Sequence, residues 1–153
     1  MRNKYDYFMQ LAIVASQQSK CLKRHIGAVI VDDLFHVKAI GYNGTPRGFA
    51  HCTTCKRDVS DAIKLAQADK DFKLPECPSI HAEANAILQC DDKRHAIAMF
   101  TTTYPCINCA KLICNTNIKN IVYLNEYDTD PQNKSIIQEM FNTAGVVVTK
   151  FGL

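Results

Sequence analysis

Two short segments carry a histidine and two cysteines in an order and spacing that restrict how the chain can fold. Residues 79–87 read SIHAEANAI, and residues 103–109 read TYPCINC. One imidazole and two thiolates can occupy three of the four positions around a zinc ion and leave the fourth for water. If His81, Cys106 and Cys109 bind one ion, the fold must bring these two segments together.

The local sequence suggests how each ligand is presented. Pro105 is predicted at the first position of a helix, where a missing N–H costs nothing. Cys106 and Cys109 would then lie on one face of the first turn, near the partial positive charge that favours a thiolate. Ser79 is predicted to cap the helix that carries His81. Both segments are therefore expected to present their ligands at helix starts.

Glu83 follows His81 by two residues and is predicted to act as a general acid and base. Residues two apart on a helix point to different sides, so Glu83 would flank the metal without ligating it. The alternative is that His81 is an ordinary helix histidine and that the cysteine pair forms a redox or structural motif. The order of H-x-E before P-C-x-x-C favours the catalytic interpretation.

The composition is that of a single globular domain. The 153 residues are 47% hydrophobic and 22% charged, and a chain of this length buries about two-thirds of its extended surface. A formal charge of +3 is too small and dispersed to indicate nucleic-acid binding. Residues 1–6 lack the apolar core of a signal peptide, and the apolar run around residues 26–31 is too short for a membrane span. A cytoplasmic protein is expected, whose cysteines bind metal rather than form disulfides.

The hydrophobic pattern predicts helices that alternate with strands. The predicted helices cover residues 6–19, 61–70, the segment around residue 81, 106–115 and 131–141, and the predicted strands cover 26–31, 37–42, 98–102, 118–124 and 145–149. The first two strands are predicted to form a hairpin through Asp32 and Asp33. This alternation predicts one three-layer α/β/α domain over residues 1–153. Residues 51–77 are patterned more weakly and are predicted to be an insertion packed onto it.

The chain resembles the deoxycytidylate (dCMP) deaminases of the bacterial and viral type, within the cytidine deaminase superfamily. Besides the two metal motifs, the resemblance rests on SKCLKRHIGAVI at 19–30, GYNGTPRG at 41–48 and IVY at 121–123. It implies a mixed five-stranded sheet covered by helices and a homo-oligomer, usually a hexamer. It also implies zinc-dependent hydrolysis of dCMP to dUMP and ammonia, which would supply dUMP for thymidylate synthesis.

The resemblance also suggests residues around the substrate. Asn43 matches the asparagine that hydrogen-bonds the sugar hydroxyl in the superfamily, although asparagine also suits a turn. Tyr123 and Tyr127 match aromatic residues beside the nucleotide, and Tyr123 could instead be an ordinary strand residue. The phosphate needs a cationic donor, which Arg24 or Lys23 could provide if neither is simply a solvated surface charge.

A second, structural zinc site is implied by cysteines that match those of bacterial and phage members of the family. The four are Cys21, Cys52, Cys55 and Cys77, with His51 as the substitute ligand. Such a site would pin the predicted insertion at residues 51–77, which has little apolar material of its own.

The loop at residues 41–48 matches the family's effector-binding motif, in which Gly44, Thr45 and Pro46 would contact a deoxynucleoside triphosphate. Activation by dCTP with Mg²⁺ and inhibition by dTTP are therefore expected.

Several alternatives stay open at the level of sequence. The metal motif does not distinguish dCMP from dCTP, free cytidine or a modified deoxycytidylate. The tRNA adenosine deaminases are further relatives, but a basic surface for an RNA stem is not evident. A catalytically silent zinc module is a different class of protein, and it would have no need of Glu83.

Overall fold

The computed structural model describes residues 3–55, 77–127 and 131–152. Within these ranges the elements are α1 (Lys4–Ser16), β1 (Gly27–Asp32), β2 (Val37–Tyr42), α2 (Ala82–Gln89), β3 (Ala96–Thr103), α3 (Ile107–Cys114), β4 (Asn120–Asn125), α4 (Pro131–Ala144) and β5 (Val147–Lys150). The helix predicted at residues 61–70 lies outside the described residues. None of the described helices combines the length and the apolar character that a membrane span requires.

The five strands form one mixed sheet in the order β2–β1–β3–β4–β5. Strand β1 pairs antiparallel with β2 and with β3, whereas β3, β4 and β5 run parallel. The predicted hairpin is confirmed, and the carboxylate of Asp32 closes its turn by accepting backbone hydrogen bonds from Leu34 and His36. Every residue of β1 is buried, as expected of a strand covered on both faces.

Helices cover both faces of the sheet, so the predicted three layers are confirmed. Successive strand residues point to opposite faces, and this alternation divides the core into two clusters. Val29 and Phe100 pack on the side of α1. Ile30, Met99 and Ile121 pack on the side of α2, α3 and α4.

Two glycines let helices lie very close to the sheet. A Cβ atom at Gly27 would lie 2.0 Å from the carbonyl oxygen of Ala12 in α1. One at Gly41 would lie 2.3 Å from the carbonyl oxygen of Ala82, in the first turn of α2. Backbone atoms in helices cannot give way as flexible side chains can, so the close seating of α1 and α2 requires glycine at both positions.

The helix starts near the predicted metal ligands differ from the prediction. Helices α2 and α3 begin one residue after His81 and Cys106, which are the N-cap residues. Ser79 is therefore not the cap, and Pro105 precedes the N-cap instead of occupying the first helical position. Both N-cap residues have an extended backbone and neither side chain caps its helix. The side chains of His81 and Cys106 contact each other instead of the helix ends.

Candidate metal centre

Three potential metal ligands converge where α2 and α3 begin. His81 Nδ1 lies 3.3 Å from Cys106 Sγ and 3.4 Å from Cys109 Sγ, and the three ligand atoms lie within 4.8 Å of one another. Nitrogen and sulfur atoms on one tetrahedral zinc ion would be about 3.5 Å apart. The donor set and its spacing thus fit zinc, and no other cluster of this kind occurs in the described parts of the chain.

The segment that leads into α2 is held by the loop after β2. Gly44 and Ile80 exchange two backbone hydrogen bonds, of 3.1 Å and 2.8 Å. One turn into the helix, Asn85 Nδ2 donates a 2.8 Å hydrogen bond to the carbonyl oxygen of Tyr42. These contacts fix the backbone on both sides of His81 against the sheet.

Glu83 lies in the first turn of α2 and is only 3% exposed. Its Oε2 lies 3.5 Å from Cys109 Sγ. Burial raises the pKa of the Glu83 carboxyl group above its ordinary value, because a charged carboxylate is poorly solvated there. A carboxyl group with a raised pKa beside a metal site is suited to take up and release protons near neutral pH.

The two thiols influence each other's ionisation. The hydrogen bond with Cys109 lowers the pKa of the Cys106 thiol to about 4. The same hydrogen bond, together with burial, raises the pKa of the Cys109 thiol. The Cys106 thiol therefore loses its proton more readily than the Cys109 thiol, and a divalent cation would favour deprotonation of both.

The metal site opens into a cleft of about 450 Å³, whose wall includes Lys23, Arg24, Asn43 and Tyr127. Pockets of this size hold small-molecule ligands. No acidic side chain is among the described residues that line the cleft. The guanidinium carbon of Arg24 lies 5.1 Å from the centroid of the Tyr127 ring. The cleft therefore suits a small ligand that carries negative charge.

Not every predicted substrate residue reaches this cleft. Tyr123 is not among its described lining residues. The Tyr123 hydroxyl donates a 2.8 Å hydrogen bond to Glu126 instead, and burial raises the pKa of Tyr123 to about 12. Asn43 does line the cleft, but its side chain is bonded to backbone groups.

Two asparagines that were not predicted as site residues also line the cleft. Asn108 lies between the two cysteines of the metal site, so the C-x-x-C spacing alone could have placed it near the ion. Asn133 lies in the first turn of α4. No local pattern points to Asn133, because it reaches the cleft only through the packing of α4 beside α3.

The four cysteines assigned to a structural zinc line one small cavity of about 30 Å³, together with His51 and with Gly44 and Thr45 of the predicted effector motif. The cysteines are Cys21, Cys52, Cys55 and Cys77. A space of this size accommodates an ion or a water molecule but no nucleotide. Among the described residues, no three ligand atoms around this cavity lie within 4.8 Å of one another. The fold thus gathers the four side chains around one space without closing them into a compact ligand set.

The chain is similar to known deaminases along most of its length. Residues 2–125 match the family model for the cytidine and deoxycytidylate deaminase zinc-binding region. The chain is 38% identical over 122 residues to a deoxycytidylate deaminase of Mycobacterium phage D29, covering 79% of this chain and 94% of the phage protein. It is 34% identical over 154 residues to a deoxycytidylate deaminase of Saccharomyces cerevisiae, covering 99% of this chain and 46% of the yeast protein.

The fold is also similar to that of a solved structure. The dCMP deaminase from cyanophage S-TIM5, in complex with dCMP and dUMP, superimposes with a TM-score of 0.71 at 27% sequence identity over 99% of both chains. The mixed five-stranded sheet that the resemblance implied is therefore confirmed. Given the family match over residues 2–125 and the His81, Cys106 and Cys109 cluster inside that range, this chain belongs to the family of cytidine and deoxycytidylate deaminases with a zinc-binding region.

Proposed function

We propose that this chain catalyses the zinc-dependent hydrolytic deamination of dCMP to dUMP and ammonia. The observation that carries the proposal is a buried Glu83 carboxyl group 3.5 Å from a sulfur of the His81, Cys106 and Cys109 cluster. The names of the phage D29 and S-TIM5 proteins support dCMP as the substrate. The two cations and the lack of acidic side chains among the described lining residues suit its phosphate.

In this mechanism His81, Cys106 and Cys109 would hold the zinc ion. When bound, zinc would supply Lewis acidity that makes a water molecule nucleophilic at neutral pH. Glu83 accepts one proton of the attacking water and passes it to N3 of the cytosine ring, which makes C4 electrophilic. After the water oxygen bonds to C4, Glu83 carries the second proton to the exocyclic amine. The C4–N bond then breaks, and ammonia and dUMP are released.

We assign the substrate contacts from the positions of the side chains that line the cleft. Arg24 and Lys23 are the candidates to bind the phosphate, and Tyr127 lies beside Arg24. Asn43 borders the same space and is the candidate for the sugar. Tyr123, with its hydroxyl bonded to Glu126, takes no part in this proposal.

The experiment that tests the function is ammonia release from a panel of dCMP, dCTP, cytidine and deoxycytidine. We expect ammonia from dCMP at a rate far above the other three, because only dCMP combines the reacting amine with a single phosphate. Faster release from dCTP would support the alternative that the triphosphate is the substrate. No release from any of the four would contradict a cytosine nucleotide deaminase.

We also propose a second zinc ion bound by Cys21, Cys52, Cys55 and Cys77, which would pin the predicted insertion at residues 51–77. Its support is the single cavity that these side chains line. Elemental analysis of the purified protein should find two zinc ions per chain, and one ion per chain would contradict this site.

Regulation and assembly are proposals that rest on the resemblance. We propose that dCTP with Mg²⁺ activates the enzyme and that dTTP inhibits it, both through contacts with Gly44, Thr45 and Pro46. We also propose that the enzyme is a cytoplasmic homo-hexamer and that it supplies dUMP for thymidylate synthesis. Adding dCTP with Mg²⁺ to the dCMP assay tests the effector response. Light scattering tests the subunit number, and a monomer in solution would contradict the hexamer.

A further inference from the structure

Asn43 holds a neighbouring backbone segment with both ends of its side-chain amide. Its Oδ1 accepts a 2.8 Å hydrogen bond from the N–H of Ile26. Its Nδ2 donates a 2.8 Å hydrogen bond to the carbonyl oxygen of Arg24. The backbone N–H of Asn43 donates to the carbonyl oxygen of Ile26 at 3.1 Å. Asn43 is only 5% exposed, so water cannot readily replace these bonds.

The held segment carries a cation into the cleft. Residues 19–26 form neither a helix nor a strand, so regular backbone pairing does not fix the path of the chain at Arg24. The guanidinium group lies over the Tyr127 ring at the wall of the cleft. Within the described residues Arg24 has no acidic partner. A guanidinium group in this position is available to a phosphate.

The same asparagine is tied to the helix of the metal site. Asn85 of α2 donates to the carbonyl oxygen of Tyr42, the residue immediately before Asn43. Helix α2 begins next to the metal ligand His81. A continuous series of direct contacts therefore runs from the metal site through the backbone at Asn43 to the backbone of Arg24. This series ties the backbone of Arg24 to the helix that begins at the metal site.

We infer that Asn43 is a positioning residue for the phosphate contact and acts through the backbone of Arg24. The inference rests on the proposed dCMP deaminase function. Fixing the loop before binding removes conformational freedom that a phosphate contact would otherwise have to restrict. The effect of Asn43 on the preference for dCMP over deoxycytidine must then depend on the Arg24 side chain. A bond from Asn43 to the sugar would affect both substrates equally, because they have the same sugar.

The test is a double-mutant cycle with Asn43→Ala, Arg24→Ala and the double variant, measured as the ratio of kcat/KM for dCMP to that for deoxycytidine. Alanine removes both side-chain hydrogen bonds of Asn43 and adds no charge beside the phosphate. Each single change should lower this ratio about tenfold, because each weakens the same contact between a charged guanidinium group and the phosphate. The double variant should have a ratio no lower than that of Arg24→Ala alone, whereas losses that multiply would overturn the inference.

A matched control comes from elsewhere in the chain. Asn117 Nδ2 donates a 2.7 Å hydrogen bond to the carbonyl oxygen of Arg94, which is the same type of bond outside the described lining of the cleft. Asn117→Ala should leave the ratio of kcat/KM for dCMP to that for deoxycytidine unchanged. A loss equal to that of Asn43→Ala would mean that the effect is a general one of altered folding, and would overturn the inference.

A further measurement does not depend on the folding of any Asn43 variant. Arg24→Ala alone should lower kcat/KM for dCMP and leave that for deoxycytidine unchanged, and an equal loss for both would overturn the inference. If the unmodified protein fails to deaminate dCMP, the proposed function fails, and the cycle is then measured as the ratio of the dissociation constants for dUMP and deoxyuridine. Losses in this ratio that multiply would overturn the positioning role of Asn43 independently of catalysis.

Discussion

The Glu83 side chain is the feature that distinguishes this metal site from a structural one. Structural zinc sites close the ion with four protein ligands, whereas catalytic sites keep one position open. Here three ligand atoms cluster, and the neighbouring carboxyl group is buried with a raised pKa. Burying an ionisable group is costly, so its presence beside the ligands supports the catalytic role that we propose for Glu83.

Replacing Glu83 with glutamine should remove catalysis and leave the metal in place. Glutamine keeps the size of the side chain but cannot shuttle a proton, so kcat for dCMP should fall about 10²- to 10⁴-fold. Zinc content by elemental analysis should equal that of the unmodified protein. Glu139→Gln, the same change at an exposed site on α4, should leave kcat unchanged. Wild-type turnover in Glu83→Gln would refute the assigned role.

Among the elements, β2 determines where α2, the helix that carries Glu83, lies. Gly41 of β2 has no side chain and packs directly against the first turn of α2. The carbonyl oxygen of Tyr42 accepts a hydrogen bond from the side-chain amide of Asn85 in α2. The helix that carries Glu83 is therefore placed by the strand on which it packs.

Gly41→Ala should destabilise the fold and disturb the metal site. The new Cβ would lie 2.3 Å from the Ala82 carbonyl oxygen and 2.4 Å from the Ala86 nitrogen, so α2 must shift. Overpacking of this kind costs about 1–3 kcal/mol, which urea unfolding can measure alongside zinc content. Gly44→Ala provides the matched control, because a Cβ at Gly44 meets nothing within 4 Å. Equal stability of the two variants would contradict the close seating of α2.

The Asp32 carboxylate stabilises the turn of the hairpin formed by β1 and β2. The hydrogen bond from the His36 backbone N–H lowers the pKa of Asp32 below its ordinary value. Asp32 also lies 3.8 Å from the ammonium group of Lys38. A folded-state pKa below the unfolded value means that the ionised carboxylate stabilises the fold above the unfolded pKa of about 3.9.

The free energy of unfolding should therefore fall as the pH drops below about 4, and Asp32→Asn should show a smaller fall. Urea unfolding over a pH series measures both slopes. At neutral pH, Asp32→Asn should be less stable than the unmodified protein. Asp33→Asn, the same change at the exposed neighbour, should keep wild-type stability there. An unchanged pH dependence in Asp32→Asn would contradict this role.

At the scale of the whole molecule, the fold gathers separate parts of the chain around one cleft. The loop before β1, the residue after β2 and the starts of α2 and α3 all contribute to its wall. The formal charge of the chain is only +3, so in our proposal attraction of the dCMP phosphate rests on Lys23 and Arg24 in the wall of the cleft.

Raising the ionic strength should increase KM for dCMP with little change in kcat. A pair of charges about 4 Å apart in water is worth ~1 kcal/mol, so screening should raise KM about fivefold. KM for deoxycytidine, which lacks the phosphate, is the control and should stay constant. An equal rise for both substrates would argue against a phosphate contact.

Most elements could be predicted from local pattern, but several of their ends could not. Helix α1 was predicted at residues 6–19 and spans Lys4–Ser16. Its start is set by a capping box between Asn3 and Asp6, a local signal that hydrophobic periodicity alone misses. Strand β3 extends beyond its predicted range, because its ends are defined by pairing with β1 and β4.

The metal donor set could be read from residue types because its chemistry is local. The ligand types can be recognised from a histidine, a glutamate two residues later and two cysteines three residues apart. This recognition does not require knowledge of the fold. The hold of Asn43 on Arg24 and Ile26 could not be read in this way, because it joins residues 19 and 17 positions apart that share no periodic pattern. Tyr123 and Tyr127 lie close together in sequence, yet of the two only Tyr127 is among the described residues that line the cleft. Packing of the chain in three dimensions decides such placements, since hydrogen bonds and burial depend on distance in space rather than on separation in sequence.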